Sequence, residues 1–419
     1  MGAMAWMTVA VAITTWGGSA QDEPDPGRLY GRVTTAGGRV YEGYLRWDGN
    51  EGSWSDLLDG DKDLPWENFR DARLLDPELG HRSRERSVSI FGFRISWSRE
   101  DLDFAEASSS GIRFGHLRSL AVMGDDRALL TLKSGEELEL HGGSTDLGDE
   151  LRSLVIEDPE RGRVDLRWRD LDLVEFMSAP PDASAPTGTR LAGTLRTRGG
   201  VAFTGLVAWD RDEILTTDVL QGEEGGVDVE FPFSSIARIQ RAGSSGARVT
   251  LIDGEVVMLR GSNDVNVRNR GIGISDPQLG QVLVEWDAFD ELVFHEAAEG
   301  NGGYPAFDGG RPLHGSVETE TGELLSGWIR WDNDEQSTWE LLDGEDRDAS
   351  YDIELGQVAV IRPLGSWGAE VTLRDGRVLE LEGSNDIDGR NRGIYVTLED
   401  GEVVLVPWWD LREAVFFES

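Results

Sequence analysis

The sequence predicts an all-β protein built from three tandem copies of one two-part unit, with an insertion in the first copy. Two different stretches of sequence each recur three times, which is typical of a repeat protein. Apolar and polar residues alternate at the two-residue period of a β-strand, for example on either side of the tight turn Asp253-Gly254. Helical periodicity is nearly absent from the chain.

The first half-unit begins at Gly31, Gly193 and Gly315 and ends in a Trp-Asp pair. Its three copies align without gaps and share a threonine, two glycines and the Trp-Asp pair. The shared positions are Thr35, Thr197 and Thr319; Gly38, Gly200 and Gly322; Gly43, Gly205 and Gly327; and Trp47-Asp48, Trp209-Asp210 and Trp331-Asp332. Because residues of turns and strand ends recur together, we expect each copy to fold in the same way.

The second half-unit begins at Arg127, Ala247 and Ala369, and it closes on a tryptophan that is followed eight residues later by a phenylalanine. These pairs are Trp168 and Phe176, Trp286 and Phe294, and Trp408 and Phe416. A large side chain that recurs at one position usually fills a core or a contact between units. We therefore expect the recurrent tryptophans of both half-units to be buried.

The spacing of the copies indicates an insertion in copy one. Trp47 and Trp209 of the first half-unit are 162 residues apart, whereas Trp168 and Trp286 of the second are 118 apart. Copy one therefore has about 44 extra residues, which we place at about 77–120, with an added strand or hairpin over 87–97. The predicted boundaries are copy one at 28–178, a linker at 179–189, copy two at 190–297, a linker at 298–311 and copy three at 312–419.

Each half-unit has about fifty residues and is expected to form about five short strands. Its order of strand, turn, long strand with glycine, Trp-Asp and last strand resembles the small five-stranded barrels of the SH3-like and Sm-like type. This resemblance implies a pair of small barrels in each copy, and it concerns the fold alone. A half-unit of this size is marginally stable by itself, so the two halves are expected to pack together.

Composition excludes several functions. The formal net charge is −39, and the 40 basic residues include only two lysines. Nucleic acid is held mainly by basic side chains that neutralise phosphates, so we expect no nucleic-acid partner, although Sm-like barrels commonly bind RNA. The chain has no cysteine, which excludes disulfides, thiolate metal sites and cysteine nucleophiles.

The first twenty residues, 1–20, look like a secretory signal peptide. They carry no charge, are apolar from Ala3 to Ile13 and end in Gly-Ser-Ala before Gln21. No apolar run reaches the about 20 residues that a membrane-spanning helix needs. We therefore expect a periplasmic or secreted protein that is not transmembrane.

The sequence contains no catalytic signature. The five histidines are scattered without metal-ligand spacing. There is neither a Gly-x-Ser-x-Gly elbow nor a phosphate-binding glycine loop with lysine. We therefore expect no metal and no cofactor, and a binding protein more readily than an enzyme.

One loop of the second half-unit is rich in Asn and Asp, with the sequences GSNDVNVRNRGI from Gly261 and GSNDIDGRNRGI from Gly383. Its short polar side chains could bind Ca²⁺ or could cap turns through the backbone. In all three copies an aspartate is followed six residues later by an arginine, so we predict an Asp264–Arg270 ion pair in which the carboxylate also accepts backbone N–H groups. The candidate clamp or binding residues are Asp146, Arg152, Asn263, Asp264, Asn266, Asn269, Arg270, Asn385, Asp386, Asp388, Asn391 and Arg392.

Repetition without a catalytic set favours a non-catalytic binding or scaffold protein of the cell envelope or exterior. Its partner would be a protein or polysaccharide of the envelope. One alternative is a polysaccharide-acting or other hydrolytic enzyme with its site in the insertion, where arginines stand near Glu100, Asp101 and Asp103. A second alternative is a divalent-cation-binding repeat protein.

Overall fold

The computed structural model describes residues 25–75, 86–90, 93–97, 107–142, 144–297 and 302–418. This part of the chain is all-β, with two large antiparallel sheets and one α-helix. None of its helices is long and apolar enough to cross a membrane. The predicted signal peptide lies outside the described residues, and so do Glu100, Asp101 and Asp103 of the predicted insertion.

Copy one contains twelve strands and the helix. They are β1 (Tyr30–Thr35), β2 (Val40–Trp47), β3 (Leu57–Asp63), α1 (Trp66–Leu75), β4 (Arg86–Ile90), β5 (Phe93–Trp97), β6 (Ala107–Arg113), β7 (Leu117–Val122), β8 (Arg127–Leu132), β9 (Glu137–His141), β10 (Leu154–Asp158), β11 (Gly162–Leu166) and β12 (Leu171–Phe176).

Copies two and three contain ten strands each. Those of copy two are β13 (Ala192–Thr197), β14 (Ala202–Ala208), β15 (Val219–Glu224), β16 (Val227–Pro232), β17 (Ile236–Arg241), β18 (Gly246–Leu251), β19 (Val256–Arg260), β20 (Ile272–Asp276), β21 (Gly280–Val284) and β22 (Phe289–Phe294). Those of copy three are β23 (His314–Thr319), β24 (Leu324–Arg330), β25 (Leu341–Glu345), β26 (Ser350–Glu354), β27 (Val358–Pro363), β28 (Gly368–Leu373), β29 (Val378–Glu382), β30 (Ile394–Thr397), β31 (Val403–Val406) and β32 (Leu411–Phe416).

Strand pairing follows one order in the three copies. Copy one forms a ten-stranded sheet in the order β11-β10-β2-β1-β12-β7-β8-β9-β3-β6. In copy two the order is β21-β20-β14-β13-β22-β17-β18-β19-β15-β16. Copy three has the order β31-β30-β24-β23-β32-β27-β28-β29-β25-β26. Pairing of β21 with β26 joins the last two into one sheet of twenty strands.

The two half-units interleave instead of pairing only within themselves. In copy two, β13 and β14 of the first half-unit pair with β22 and β20 of the second. Likewise, β17 of the first half-unit pairs with β18 of the second, and β15 pairs with β19. In each ten-strand order, strands of one half-unit therefore lie beside strands of the other. This pairing covers strand edges that either half-unit would expose alone.

The extra residues of copy one stand between β3 and β6. In copy two the corresponding strands β15 and β16 are joined by a two-residue turn. Helix α1 and the β4–β5 hairpin occupy this segment of copy one, and the hairpin confirms the prediction over 87–97. Strands β6 and β7, which the sequence had assigned to the insertion, belong to the shared ten-strand order.

One shared glycine is explained by a close crossing of backbones. A Cβ atom added at Gly205 of β14 would lie 2.1 Å from the carbonyl oxygen of Ser275 in β20. At Gly43 and Gly327 the corresponding distance to the facing carbonyl oxygen is 2.0 Å. Only glycine allows the first strand pair of each copy to approach the second half-unit this closely.

The recurrent tryptophans are buried, as predicted. All six are at most 4% exposed, and they belong to two apolar cores, one in copy one and one shared by copies two and three. Trp209 and Trp286 lie in contact, with ring centroids 6.3 Å apart in an edge-on arrangement. These indoles also donate hydrogen bonds to loop carbonyl groups, so they connect the core to the loops described next.

Candidate functional site

Each Trp-Asp pair begins a tight turn that closes on a glutamate. In copy two the amide of Trp209 donates to the carbonyl of Glu213 at 2.8 Å, and the amide of Glu213 donates back at 3.0 Å. Asp210 and Arg211 have positive φ angles of 48° and 64°. This left-handed pair of residues reverses the chain within the turn. The turn holds the aspartate and the glutamate close to the Asn/Asp-rich loop of the second half-unit.

The Asn/Asp-rich loop is fixed to the core from two sides. The indole of Trp209 donates to the carbonyl oxygen of Asp264 at 3.0 Å, and Oδ2 of Asp264 accepts the amide of Gln221 at 2.7 Å. The same two bonds are made by Asp146 in copy one and by Asp386 in copy three. The prediction that the loop carboxylate accepts backbone N–H groups is therefore confirmed.

The loop arginines pair with a different aspartate from the one predicted. Arg270 contacts Oδ2 of Asp210, the aspartate of the Trp-Asp turn, at 3.0 Å, and its amide donates to Oδ1 of the same residue at 2.5 Å. Arg152 and Arg392 contact Asp48 and Asp332 in the same way. The predicted Asp264–Arg270 ion pair is therefore wrong, because the carboxylate of Asp264 accepts a hydrogen bond from the backbone of β15 instead.

The remaining loop residues make local turns. Oδ1 of Asn266 accepts the amide of Arg268 at 2.8 Å, and Oδ1 of Asn269 accepts the amide of Gly271 at 2.9 Å. Asp388 and Asn391 make the matching bonds in copy three, whereas Asn263 and Asn385 donate to the turn aspartates Asp210 and Asp332. The interpretation as turn caps fits these bonds.

In each copy, the turn aspartate and glutamate and the loop aspartate are near enough to act on one another electrostatically. We call these groups cluster one (Asp48, Glu51 and Asp146), cluster two (Asp210, Glu213 and Asp264) and cluster three (Asp332, Glu335 and Asp386). In cluster three the ligand oxygens all lie within 4.8 Å of one another, in the arrangement that can hold a metal ion. Within each of the three clusters, Oε2 of the glutamate is buried and accepts no hydrogen bond.

Burial and mutual repulsion shift the acidity of these glutamates. Burial, together with the charges of Asp264 and Asp210, raises the pKa of Glu213 to about 9. For the same reasons the pKa values of Glu51 and Glu335 lie well above the ordinary value for glutamate. An uncompensated carboxylate in such a place is costly.

A cavity of about 480 Å³ lies where copies one and two meet. Carboxylates from both copies line it together with four arginines. The acidic residues are Asp48, Glu51, Asp56, Asp59, Asp61, Asp146, Glu150 and Asp212, and the arginines are Arg152, Arg190, Arg211 and Arg270. All three members of cluster one line this cavity.

Buried ion pairs fix the walls of the cavity. Arg190 of copy two contacts Asp56 of copy one at 3.0 Å, and both side chains are less than a tenth exposed. Arg46 of copy one contacts Asp218 of copy two through both terminal nitrogens, at 2.8 and 3.0 Å. Because both pairs are inside the contact between the copies, the cavity is preformed.

Copy three docks on copy one through a second set of buried polar contacts. Lys62 pairs with Glu340, and His116 lies 3.1 Å from Oε1 of Glu354. A small cavity of about 40 Å³ lies at this contact, and Glu335 and Asp386 of cluster three are in its wall. Cluster three is therefore beside the small cavity, whereas cluster one is beside the larger cavity.

Sequence reasoning missed the glutamate of each cluster. Glu51, Glu213 and Glu335 follow the Trp-Asp pair at the same interval, in the sequences WDGNE, WDRDE and WDNDE. That recurrence was visible in the aligned copies, but the predicted site stopped at the aspartate. The hypothesis of a hydrolytic site in the insertion concerns residues outside the described ranges or without described side chains.

Comparison with known proteins gives no match to this chain among family models, curated proteins or solved structures. Its activity is therefore inferred from the geometry of its own residues.

Proposed function

We propose that the protein is a non-catalytic binding protein of the cell envelope or exterior, and that its ligand enters the cavity between copies one and two. The observation that supports this proposal is the preformed cavity of about 480 Å³, because small-molecule sites usually have volumes of about 300–1,000 Å³. Tandem pairs of small SH3-like barrels would serve as the frame that brings the two copies together.

The charge of the lining indicates the class of ligand. Eight carboxylate residues and four arginines line the cavity, so acidic groups outnumber basic ones. Such a lining repels a polyanion and favours a neutral or cationic polar molecule. A neutral oligosaccharide end, rich in hydroxyl groups, fits this lining and agrees with a polysaccharide partner in the envelope.

The cavity lining includes Ser109, Ser144 and Ser275, but no histidine among the described residues that could act as the base for a serine. The arginines Arg190 and Arg270 are bonded to carboxylates, which suits a rigid binding wall. Binding without turnover is therefore the function that these groups support.

A substitution that fills the cavity tests this proposal. Ala208 lines the cavity, and arginine occupies the corresponding place before the Trp-Asp pair in the other two copies, at Arg46 and Arg330. Ala208→Arg therefore adds a large side chain that this strand position already accepts. The control is Arg412→Ala, at a position outside the cavity where the side chain is 59% exposed.

The assay is a thermal-shift screen with neutral and cationic oligosaccharides and short peptides, followed by titration calorimetry. We expect at least one neutral oligosaccharide to raise Tm saturably in the wild-type and Arg412→Ala proteins. Ala208→Arg is expected to keep the Tm of the free protein but to lose this shift. Equal binding by Ala208→Arg, or no saturable binding of any compound, would contradict the proposal.

A further inference from the structure

The three carboxylate clusters repeat one arrangement that nothing else in the fold requires. Each combines the aspartate and glutamate of a Trp-Asp-x-x-Glu turn with the aspartate of the Asn/Asp-rich loop. Glu51 and Glu335 are at most 9% exposed, and Oε2 of each has no hydrogen-bond donor. Glu213 has the same unpartnered oxygen in copy two, where the side chain is only partly buried. A buried carboxylate oxygen without a hydrogen-bond donor indicates a missing partner, which a proton or a cation can supply.

Electrostatics defines the charge of that partner. Each cluster contains three carboxylates, and the loop arginine contributes one positive charge through its contact with the turn aspartate. When all three carboxylates are ionised, they carry more negative charge than one arginine cancels, and the raised pKa of the glutamate reflects this excess. Buried charges of this kind are normally paired or coordinate a metal. One divalent cation would cancel the excess.

Cluster three also has space for an ion. The cavity of about 40 Å³ at the contact of copies one and three is lined by Glu335 and Asp386. About 10–15 Å³ of such volume is enough for one water molecule, so an ion with one or two waters fits. This space is a second observation, independent of the acidic residues themselves.

We propose that cluster three binds one divalent cation through carboxylate oxygens, with Ca²⁺ as the preferred ion. Ca²⁺ accepts about six to eight oxygen ligands in irregular geometry, including bidentate carboxylates, whereas Mg²⁺ keeps several waters in a strict octahedron. Asp332 is fully buried and the space beside cluster three is small. A site with little room for water favours the larger, less strongly hydrated ion.

Among the described residues, only cluster three brings one ligand oxygen from each of its three carboxylates within 4.8 Å of the others. Cluster one lines the cavity of about 480 Å³. Cluster three lies beside the small cavity, where Arg392 also pairs with Asp334. The proposal concerns cation binding alone and does not depend on a ligand in the larger cavity.

Calcium titration of the chelator-treated full chain tests the proposal. We expect titration calorimetry with CaCl₂ to give one saturable site per chain, and Ca²⁺ to raise Tm more than NaCl at matched ionic strength. The variant Glu335→Gln keeps the shape of the side chain and is expected to lose this site. Glu380→Gln, at an exposed position of β29 in the same copy, is the matched control and should keep it.

Glu213→Gln, at the equivalent position of copy two, is expected to keep the site. Unchanged binding by Glu335→Gln, or no saturable binding by the wild type, overturns the proposal and indicates that the carboxylates share protons instead. A second readout needs no variant: Tb³⁺ occupies Ca²⁺ sites, and Trp331 is bonded to Asp386 of cluster three. Tryptophan-sensitised Tb³⁺ emission that Ca²⁺ displaces is expected, and its absence would also overturn the proposal.

Discussion

The same aspartate–arginine ion pair occurs in all three copies, but the arginine side chain is exposed to a different degree in each. The contribution of each pair to stability can therefore be predicted from this exposure. The arginine side chain is 50% exposed in the Asp48–Arg152 pair, 42% in Asp210–Arg270 and 10% in Asp332–Arg392, while each aspartate is at most 2% exposed. A solvent-exposed ion pair contributes at most about 1 kcal/mol. Removing one partner of a buried pair costs about 3–5 kcal/mol, because a charge is left without compensation.

We therefore expect a coupling energy of about 3 kcal/mol between Asp332 and Arg392, and about 1 kcal/mol between Asp210 and Arg270. The assay is a double-mutant cycle with Asp→Asn and Arg→Met, measured by urea unfolding in the presence of a chelator. The matched control cycle pairs Arg270 with Asp264, which is directed to the backbone instead, and should give a coupling near zero. Equal coupling in the two copies, or stronger coupling to Asp264 than to Asp210, would refute this reasoning.

Two further substitutions test the fold and its acid stability. Gly205→Ala should destabilise copy two by about 2 kcal/mol or more, because the added Cβ would meet the carbonyl oxygen of Ser275; a melting temperature equal to wild type would contradict the close crossing. Burial disfavours the Glu354 carboxylate, yet the charges of Arg113 and then His116 hold the pKa of Glu354 below 4.5. Because the pKa of Glu354 is lower in the folded than in the unfolded protein, its carboxylate stabilises the fold above the unfolded-state pKa, and this stabilisation is lost as pH falls through the folded-state pKa. Glu354→Gln should therefore lower the free energy of unfolding at pH 7 and make it fall less steeply below about pH 4.5. Parallel stability–pH curves for wild type and variant would count against this pairing.

The sequence was sufficient for the local features of the fold. Period-two patterning predicted strands, the β4–β5 hairpin was recognised over 87–97, and the recurrence of Trp47, Trp209 and Trp331 predicted their burial. These features depend on residues close together in the chain, or on a comparison of aligned copies. The internal alignment therefore had the information that a family alignment would normally supply.

Long-range pairing was not predictable in the same way. The partners of β13 are β14 and β22, and nothing in the composition of a short strand specifies a partner almost a hundred residues away. Strand β6 fell within the predicted insertion because the spacing of the tryptophans gives the length of the extra segment but only its approximate position.

The candidate site was predicted in part for a related reason. Spacing placed Asp264 and Arg270 in one loop, but it could not specify side-chain direction. The left-handed turn at Asp210 presents a nearer carboxylate to the arginine, and the amide of Gln221 occupies the carboxylate of Asp264. Both facts depend on the contact between two half-units, which sequence spacing does not report.

The central claim is that the cavity between copies one and two is the ligand site, and a crystal structure tests it most directly. Crystals would be soaked with the oligosaccharide that gives the largest saturable thermal shift. We predict ligand density inside the cavity, in contact with the walls around Arg190 and Ala208 and excluded by Ala208→Arg. Density for the same ligand at another surface, with the cavity filled by water alone, would contradict the account.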